Sequence, residues 1–163
     1  MNLLYYPNKM LSTTINEVDI DNLDFDPTEV KNNMLDIMLS HMGIGLAANQ
    51  VGLDKRLFVM GNTRDDAVLC INPTVLQYTE EKELDVEGCL SFPGIELKVQ
   101  RPKDILIEYY DENLELTRTV ASGYSARLYL HELDHLNGIT FKDRVSKLKW
   151  NLAEKKVRKL VRR

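Results

Sequence analysis

The chain has 163 residues, 44% apolar and 28% charged, with a net charge of −4. That length suits one domain with a buried core, taken here as residues 1–163. Two cysteines cannot build a disulfide framework, no apolar run approaches a membrane span, and Met1–Pro7 lacks the charged start and long apolar stretch of a secretory signal, so a reducing, cytoplasmic setting is expected.

The first strong element is a helix over 27–42. Val30, Met34, Leu35, Ile37, Met38 and Met42 recur at helical spacing, with Asp26 as N-cap, Pro27 in first position and Glu29 completing a capping box. Gly43-Ile44-Gly45-Leu46-Ala47-Ala48-Asn49-Gln50 comes next and satisfies a dinucleotide-binding GxGxxA pattern. That fingerprint must follow a strand and open a helix. Here a helix precedes it and strand-like Leu57–Met60 follows, so the glycines are read as letting a substrate backbone approach closely.

Further strands are expected at Ala67–Ile71, Asp104–Tyr110 and Glu115–Val120. Ile105, Ile107 and Tyr109 alternate with Leu106, Glu108 and Tyr110, and Asp111-Glu112-Asn113 turns the chain into the next strand. Cys70 reads as a small buried hydrophobe in a strand. Cys89 is different: Val86-Glu87-Gly88-Cys89-Leu90-Ser91, followed by Phe92-Pro93-Gly94, reads as a turn held open for access. Strands joined by hairpin-like connections between helices favour an antiparallel α+β fold over a doubly wound sheet.

A helix over 123–136, with Ser122 as N-cap and Asn137-Gly138 as its stop, carries His131-Glu132-Leu133-Asp134-His135. Two histidines four residues apart share one helical face with Leu128, and Glu132 lies beside the first, where it can move a proton on a water held by the same metal. The only other histidine, His41, reads as surface or cap. A third ligand decides the chemistry. The HExxHxxGxxH extension fails, because Phe141 stands where its histidine is required. A distant glutamate would have to be Glu154, which reads better as a solvated i,i+4 pair with Arg158. Cys89 is the stronger candidate, and a metal that only holds the fold is a further alternative.

The last element is a basic helix over 145–161. Residues 142–163 hold 10 Lys/Arg and 2 Asp/Glu, a net of +8, so the first 141 residues carry −12. Val145, Leu148, Leu152, Ala153, Val157, Leu160 and Val161 trace an apolar stripe that would pack on the acidic body. Its lysines and arginines, Lys155, Lys156, Arg158 and Lys159 among them, also suit a polyanion such as ribosomal RNA.

These residues together resemble the peptide deformylase family. Gly43–Gln50 is similar to its GxGxAAxQ segment, Glu87-Gly88-Cys89-Leu90-Ser91 is identical to EGCLS, and His131–His135 fits HExDH. Arg101-Pro102, Ala126-Arg127 and Phe141-Lys142-Asp143-Arg144 look like family positions, and the likeness runs from about Tyr6-Pro7 into the last helix. Two departures stand out: Leu130 replaces a glutamine before the first metal histidine, and Asn113 replaces a turn glycine.

The resemblance implies small antiparallel sheets around the helix that carries the metal motif. It implies Cys89, His131 and His135 as ligands of one divalent ion, Fe2+ natively with Zn2+, Ni2+ or Co2+ able to substitute. Glu132 would be the general acid–base, with the Gln50 side chain and the Leu90 N–H steadying the oxyanion. Ile44, Val86, Tyr124, Leu128 and the His131 ring would wall a pocket for a methionine side chain, and Gly45 and Gly88 would face an extended peptide. The implied substrates are N-formylmethionyl nascent peptides, which lose formate, with the ribosome as a partner of the basic helix and no membrane involved. Arg101 and Asp134 are expected to form an ion pair behind the ligands, and Arg127 to reach peptide or water.

Overall fold

Asp26 opens the first helix, α1 (Pro27–Ser40), by accepting the Thr28 and Glu29 N–H groups on Oδ1, and Pro27 fits at the first position because no N–H is needed there. The structure, a computed structural model, describes residues 1–161, with side chains as far as Arg158. The helix stops at Ser40 rather than 42. His41 is its C-cap, and Met42, at φ 57, leaves the apolar face and stands exposed.

Among the described residues, seven strands follow the antiparallel expectation and extend it. The five-stranded sheet runs β1-β2-β3-β6-β7, from β1 (Gly45–Ala47), β2 (Leu57–Met60), β3 (Val68–Tyr78), β6 (Asp104–Tyr110) and β7 (Leu116–Ser122). The remaining pair, β4 (Lys82–Gly88) and β5 (Glu96–Pro102), forms a separate two-stranded sheet with Gly88 opposite Glu96. All pairings are antiparallel. In the turn before β7 the left-handed residue is Leu114, at φ 63, rather than Asn113.

Helix α2 (Gly123–Leu136) lies against the five-stranded sheet. Ala126, Tyr129, Leu130, Leu133 and Leu136 pack with Phe58, Ile105 and Ile107, while α1 packs Met34, Leu35 and Met38 against Leu46, Leu57 and Leu69 in a second cluster. Burial of a side chain of this size contributes ~1.5–3 kcal/mol, so the first cluster holds α2 on the sheet and the second holds α1 there. Its C-terminus is closed by Gly138 at φ +69, with Ile139 N–H bonded to Asp134 O and Gly138 N–H to His135 O. A Cβ on Gly138 would meet Ser12 O at 2.8 Å, so glycine is required twice over.

A third cluster joins the chain's two ends to the turn after β4. Phe92, Ile95, Leu97 and Phe141 are buried there, with Trp150, Ala153 and Val157 of α3 (Lys147–Val161) packed against them. This helix begins at Lys147, not 145, because Val145 is extended at φ −124, ψ 164 behind a short 3-10 turn. The stripe packed inward is therefore Trp150, Ala153 and Val157, each half-buried, while Leu148 and Leu152 face water. Leu160 and Val161 side chains lie outside the described residues. No described helix is long and apolar enough to cross a membrane.

Candidate active site

Three donors meet where α2 passes the turn after β4. The Cys89 sulfur lies 3.2 Å from His135 Nε2, and it, one atom of His131 and one of His135 all fall within 4.8 Å of one another. A tetrahedral ion with metal–sulfur and metal–nitrogen bonds of about 2.3 and 2.0–2.1 Å puts such donors roughly 3.4–3.6 Å apart. The spacing and the thiol–imidazole–imidazole chemistry fit a divalent metal. Burial and the neighbouring charge of His131 hold His135 well below its usual range, which keeps its lone pair available.

His131 is fixed from behind. Its Nδ1 lies 3.0 Å from Glu87 Oε2, leaving Nε2 for the donor cluster. Burial opposes a charge on this ring, but hydrogen bonds to Cys89 and Glu87 outweigh it and raise His131 well above its usual range; a cation in the cluster would take the place of that proton. Glu87 is itself buried, which alone would raise it, yet hydrogen bonds from Arg101 and His131 bring it down to about 2. Its orienting role escaped the sequence reading, although Glu87 stands inside the second motif. With Glu87 on Nδ1, Leu130 owes nothing to His131 and is free to join the apolar core.

The carboxylate belongs to a buried charge network. Arg101 donates Nε and Nη2 to Glu87, both at 2.9 Å, and Nη1 to Asp134 at 2.6 Å, so the expected Arg101–Asp134 pair is present. Arg144 also donates to Asp134. Arg127 lines the cavity beside these charges and is withdrawn from open water. It is buried, with Nη1 on Glu87 at 2.7 Å and on Val99 O at 2.8 Å, and Nη2 on Glu83 O at 2.8 Å. Glu154 pairs with Arg158 at 3.0 Å on the last helix, as expected of a surface pair.

In front of the donors opens a cavity of about 520 Å³. Ile44, Val86, Tyr124 and Leu128 line it, together with Gly45 and Gly88. Gln50, Leu90, Cys89, His131 and Glu132 complete the inner wall, and His41, the helix cap, reaches the rim. Glu132 is 3% exposed, its Oε2 has no hydrogen-bond partner, and burial pushes it up to about 7. Gly45 is tied to that carboxylate, since a Cβ there would stand 2.3 Å from Glu132 Oε1.

Gln50 accepts the Ala47 N–H at 2.8 Å on Oε1 and donates Nε2 to Ser91 Oγ at 3.0 Å, with its second proton facing the Cys89 sulfur at 3.5 Å. Ser91 is thus a positioning partner that sequence reasoning missed. The turn closes through Phe92 N–H on Cys89 O at 2.9 Å. The N-terminal segment ties both loops together, Leu4 N–H bonding Gln50 O at 2.7 Å and Tyr6 N–H bonding Ser91 O at 3.0 Å. Tyr6 also stacks on Phe92 at 5.0 Å. Asn49 Nδ2 donates to His135 O at 2.5 Å, steadying the end of α2.

Known proteins share this sequence pattern and fold. Residues 1–151 match the sequence family described as polypeptide deformylase. A peptide deformylase of Finegoldia magna is 37% identical over 143 residues, 87% of this chain and 86% of the relative, and one of Thermotoga petrophila is 42% identical over 129 residues, 79% and 78% of the two chains. The crystal structure of a peptide deformylase from Synechococcus elongatus in complex with actinonin superposes with a TM-score of 0.87 at 39% identity, covering 95% of this chain and 84% of that one. A metal-ready cysteine–histidine cluster, a buried glutamate at its side and a match spanning nearly the whole sequence lead to one conclusion: the chain belongs to the polypeptide deformylase family, metal-dependent hydrolases that remove the N-formyl group from newly made polypeptides.

Proposed function

We propose that residues 1–163 form one catalytic domain in which Cys89, His131 and His135 hold a single divalent ion, Fe2+ natively, with Zn2+, Ni2+ or Co2+ able to replace it. Mixed sulfur and imidazole donors accept all four, and availability decides among them. Bound there, the ion supplies Lewis acidity that readies water near neutral pH. Glu132 takes the proton from that water and returns it to the departing amine, a role supported by its burial, its unpartnered oxygen and its raised affinity for a proton. The Gln50 amide and the Leu90 N–H steady the negative charge growing on the formyl oxygen. The methionine side chain enters between Ile44, Val86, Tyr124, Leu128 and the His131 ring, and Gly45 and Gly88 meet the peptide backbone. Formate and a free methionyl amino terminus leave.

The observation that carries this reading is the convergence of three donors from two distant segments beside a buried carboxylate with one unpartnered oxygen. Formate release from an N-formylmethionyl peptide, measured anaerobically with iron supplied, tests it. Cys89→Ala should abolish metal binding and turnover, while Glu154→Ala should keep both. Retention of metal and activity by Cys89→Ala would overturn it.

The enzyme is expected in the cytoplasm, working on chains as they emerge. Docking on ribosomal RNA through α3 is supported by Lys155 and Lys156, which face water. Lys159, the further residue invoked for this surface, has its side chain outside the described residues. Unchanged cosedimentation with ribosomes after neutralising Lys155, Lys156, Arg158 and Lys159 would rule the docking out.

A further inference from the structure

The first residues of the chain run past both catalytic loops without joining either sheet. Leu4 gives its N–H to Gln50 O at 2.7 Å, and Tyr6, two residues on, gives its own to Ser91 O at 3.0 Å. The first carbonyl belongs to one oxyanion donor, and the second to the residue directly after the other, Leu90. Tyr6 is itself held by its ring. It stacks on Phe92 of the same turn at 5.0 Å, with Trp150 edge-on at 5.7 Å and Lys142 Nζ over its face at 4.5 Å. Tyr5 and Tyr6 are nonetheless exposed, so apolar burial is a minor part of what the contact achieves.

Two donors that share one oxygen must stand at a fixed separation, and an error near 1 Å costs up to about a hundred-fold in rate. Among the described residues, the only hydrogen bonds that join the two loops directly come from the Gln50 side chain, to Ser91 Oγ and toward the Cys89 sulfur. That amide is the group that turns a proton to the substrate. It cannot reach for the growing charge and also be the sole tie that sets its distance from Leu90. Backbone bonds from a third segment remove the conflict.

We propose that Leu4–Tyr6 is a positioning strap, whose two inward N–H groups hold the Gln50 amide and the Leu90 N–H at the spacing one formyl oxygen requires. The assignment rests on the reading of Gln50 and Leu90 as the oxyanion donors. The strap touches no reacting atom. It acts on kcat through Gln50 and the turn after β4, while the metal donors, held by Glu87 and α2, keep their places.

Formate release from N-formyl-Met-Ala-Ser by the metal-loaded full chain, with kcat and KM measured separately, tests this. Leu4→Pro removes the donor to Gln50 O and should lower kcat roughly ten-fold, with KM and metal content unchanged. Leu4→Ala keeps that N–H and should lower Tm while holding kcat. In a Gln50→Ala background, Leu4→Pro should cost less than about two-fold, because the group it positions is gone. Tyr6→Ala loses the stack that seats its N–H on Ser91 O and should lower kcat roughly three-fold, whereas Tyr6→Phe should restore it. Equal losses from Leu4→Pro in both backgrounds overturn the proposal, as does a normal kcat in metal-loaded Leu4→Pro. Should Leu4→Pro not fold, a normal kcat in Tyr6→Ala overturns it alone. An unchanged kcat in Gln50→Ala would instead overturn the reading beneath it.

Discussion

Glu87 Oε2 and His131 Nδ1 stand 3.0 Å apart, so a carboxylate two residues before Cys89 orients the imidazole that joins that cysteine in the donor cluster. The end of β4 and the turn that follows it therefore deliver the sulfur together with the group that aims its partner.

Glu87→Gln should loosen the metal. The amide can still accept from His131, but it carries no charge and cannot satisfy Arg101 and Arg127 together. Loss of such an orienting partner lowers metal affinity by about 10–100-fold. Chelator competition on the zinc-loaded enzyme measures this, and an unchanged dissociation constant would contradict the role given to Glu87.

Acid should unfold the metal-free protein through the same residue. Glu87 is held at about 2 when folded, against 4.5 for an ordinary glutamate. The folded state therefore keeps its carboxylate charged where the unfolded state takes up a proton. The stability this contributes is full above pH ~4.5 and is lost as pH falls toward 2. Urea midpoints taken across that window should drop steeply, and the slope should flatten in Glu87→Gln.

Gly45→Ala should damage turnover more than folding. The added methyl collides with Glu132 Oε1 at 2.3 Å and with Leu128 Cδ1 at 2.8 Å, so the carboxylate must swing away from its place. General acid–base groups contribute about 10²–10⁴-fold, and a displaced one should lose at least roughly ten-fold of this in kcat. Metal content should stay at one ion per chain. Formate release and elemental analysis on one preparation separate the two effects.

Gly138→Ala should act on stability. Its backbone is left-handed and its neighbour Ser12 O leaves no room, so the end of α2 must shift. A cost of about 1–2 kcal/mol is expected, enough to lower Tm by roughly 2–8 °C in a chain of this size. Differential scanning calorimetry reads it directly.

Much of this layout can be read from residues alone. The bounds of α2, β2 and β6 match their sequence signals: Asn137-Gly138 stops α2, β2 is a short apolar run, and β6 alternates, although Ser122 makes no side-chain cap bond to α2. The β4–β5 hairpin was missed for a physical reason. Leu84 and Val86 of β4 face water, and β5 has only two inward apolar positions, Leu97 and Val99, before the buried Arg101, so neither strand carries a full apolar alternation. Arg127 misled in the same way. An arginine on a helix reads as solvated, and its partners Glu83, Glu87 and Val99 lie 28–44 residues away in sequence. Helix α1 was overrun because Met42 continues its apolar spacing while its backbone has already turned left-handed.

The buried charges behind His131 constrain how this sequence can drift. Arg101 grips Glu87 and Asp134 at once, Arg127 shares the first and Arg144 the second. Removing one member of such a set strands its neighbours without water, at about 3–5 kcal/mol. Tolerated replacements must therefore arrive as matched sets across strand and helix, and single steps through these positions lead downhill in fitness before any compensating change can occur.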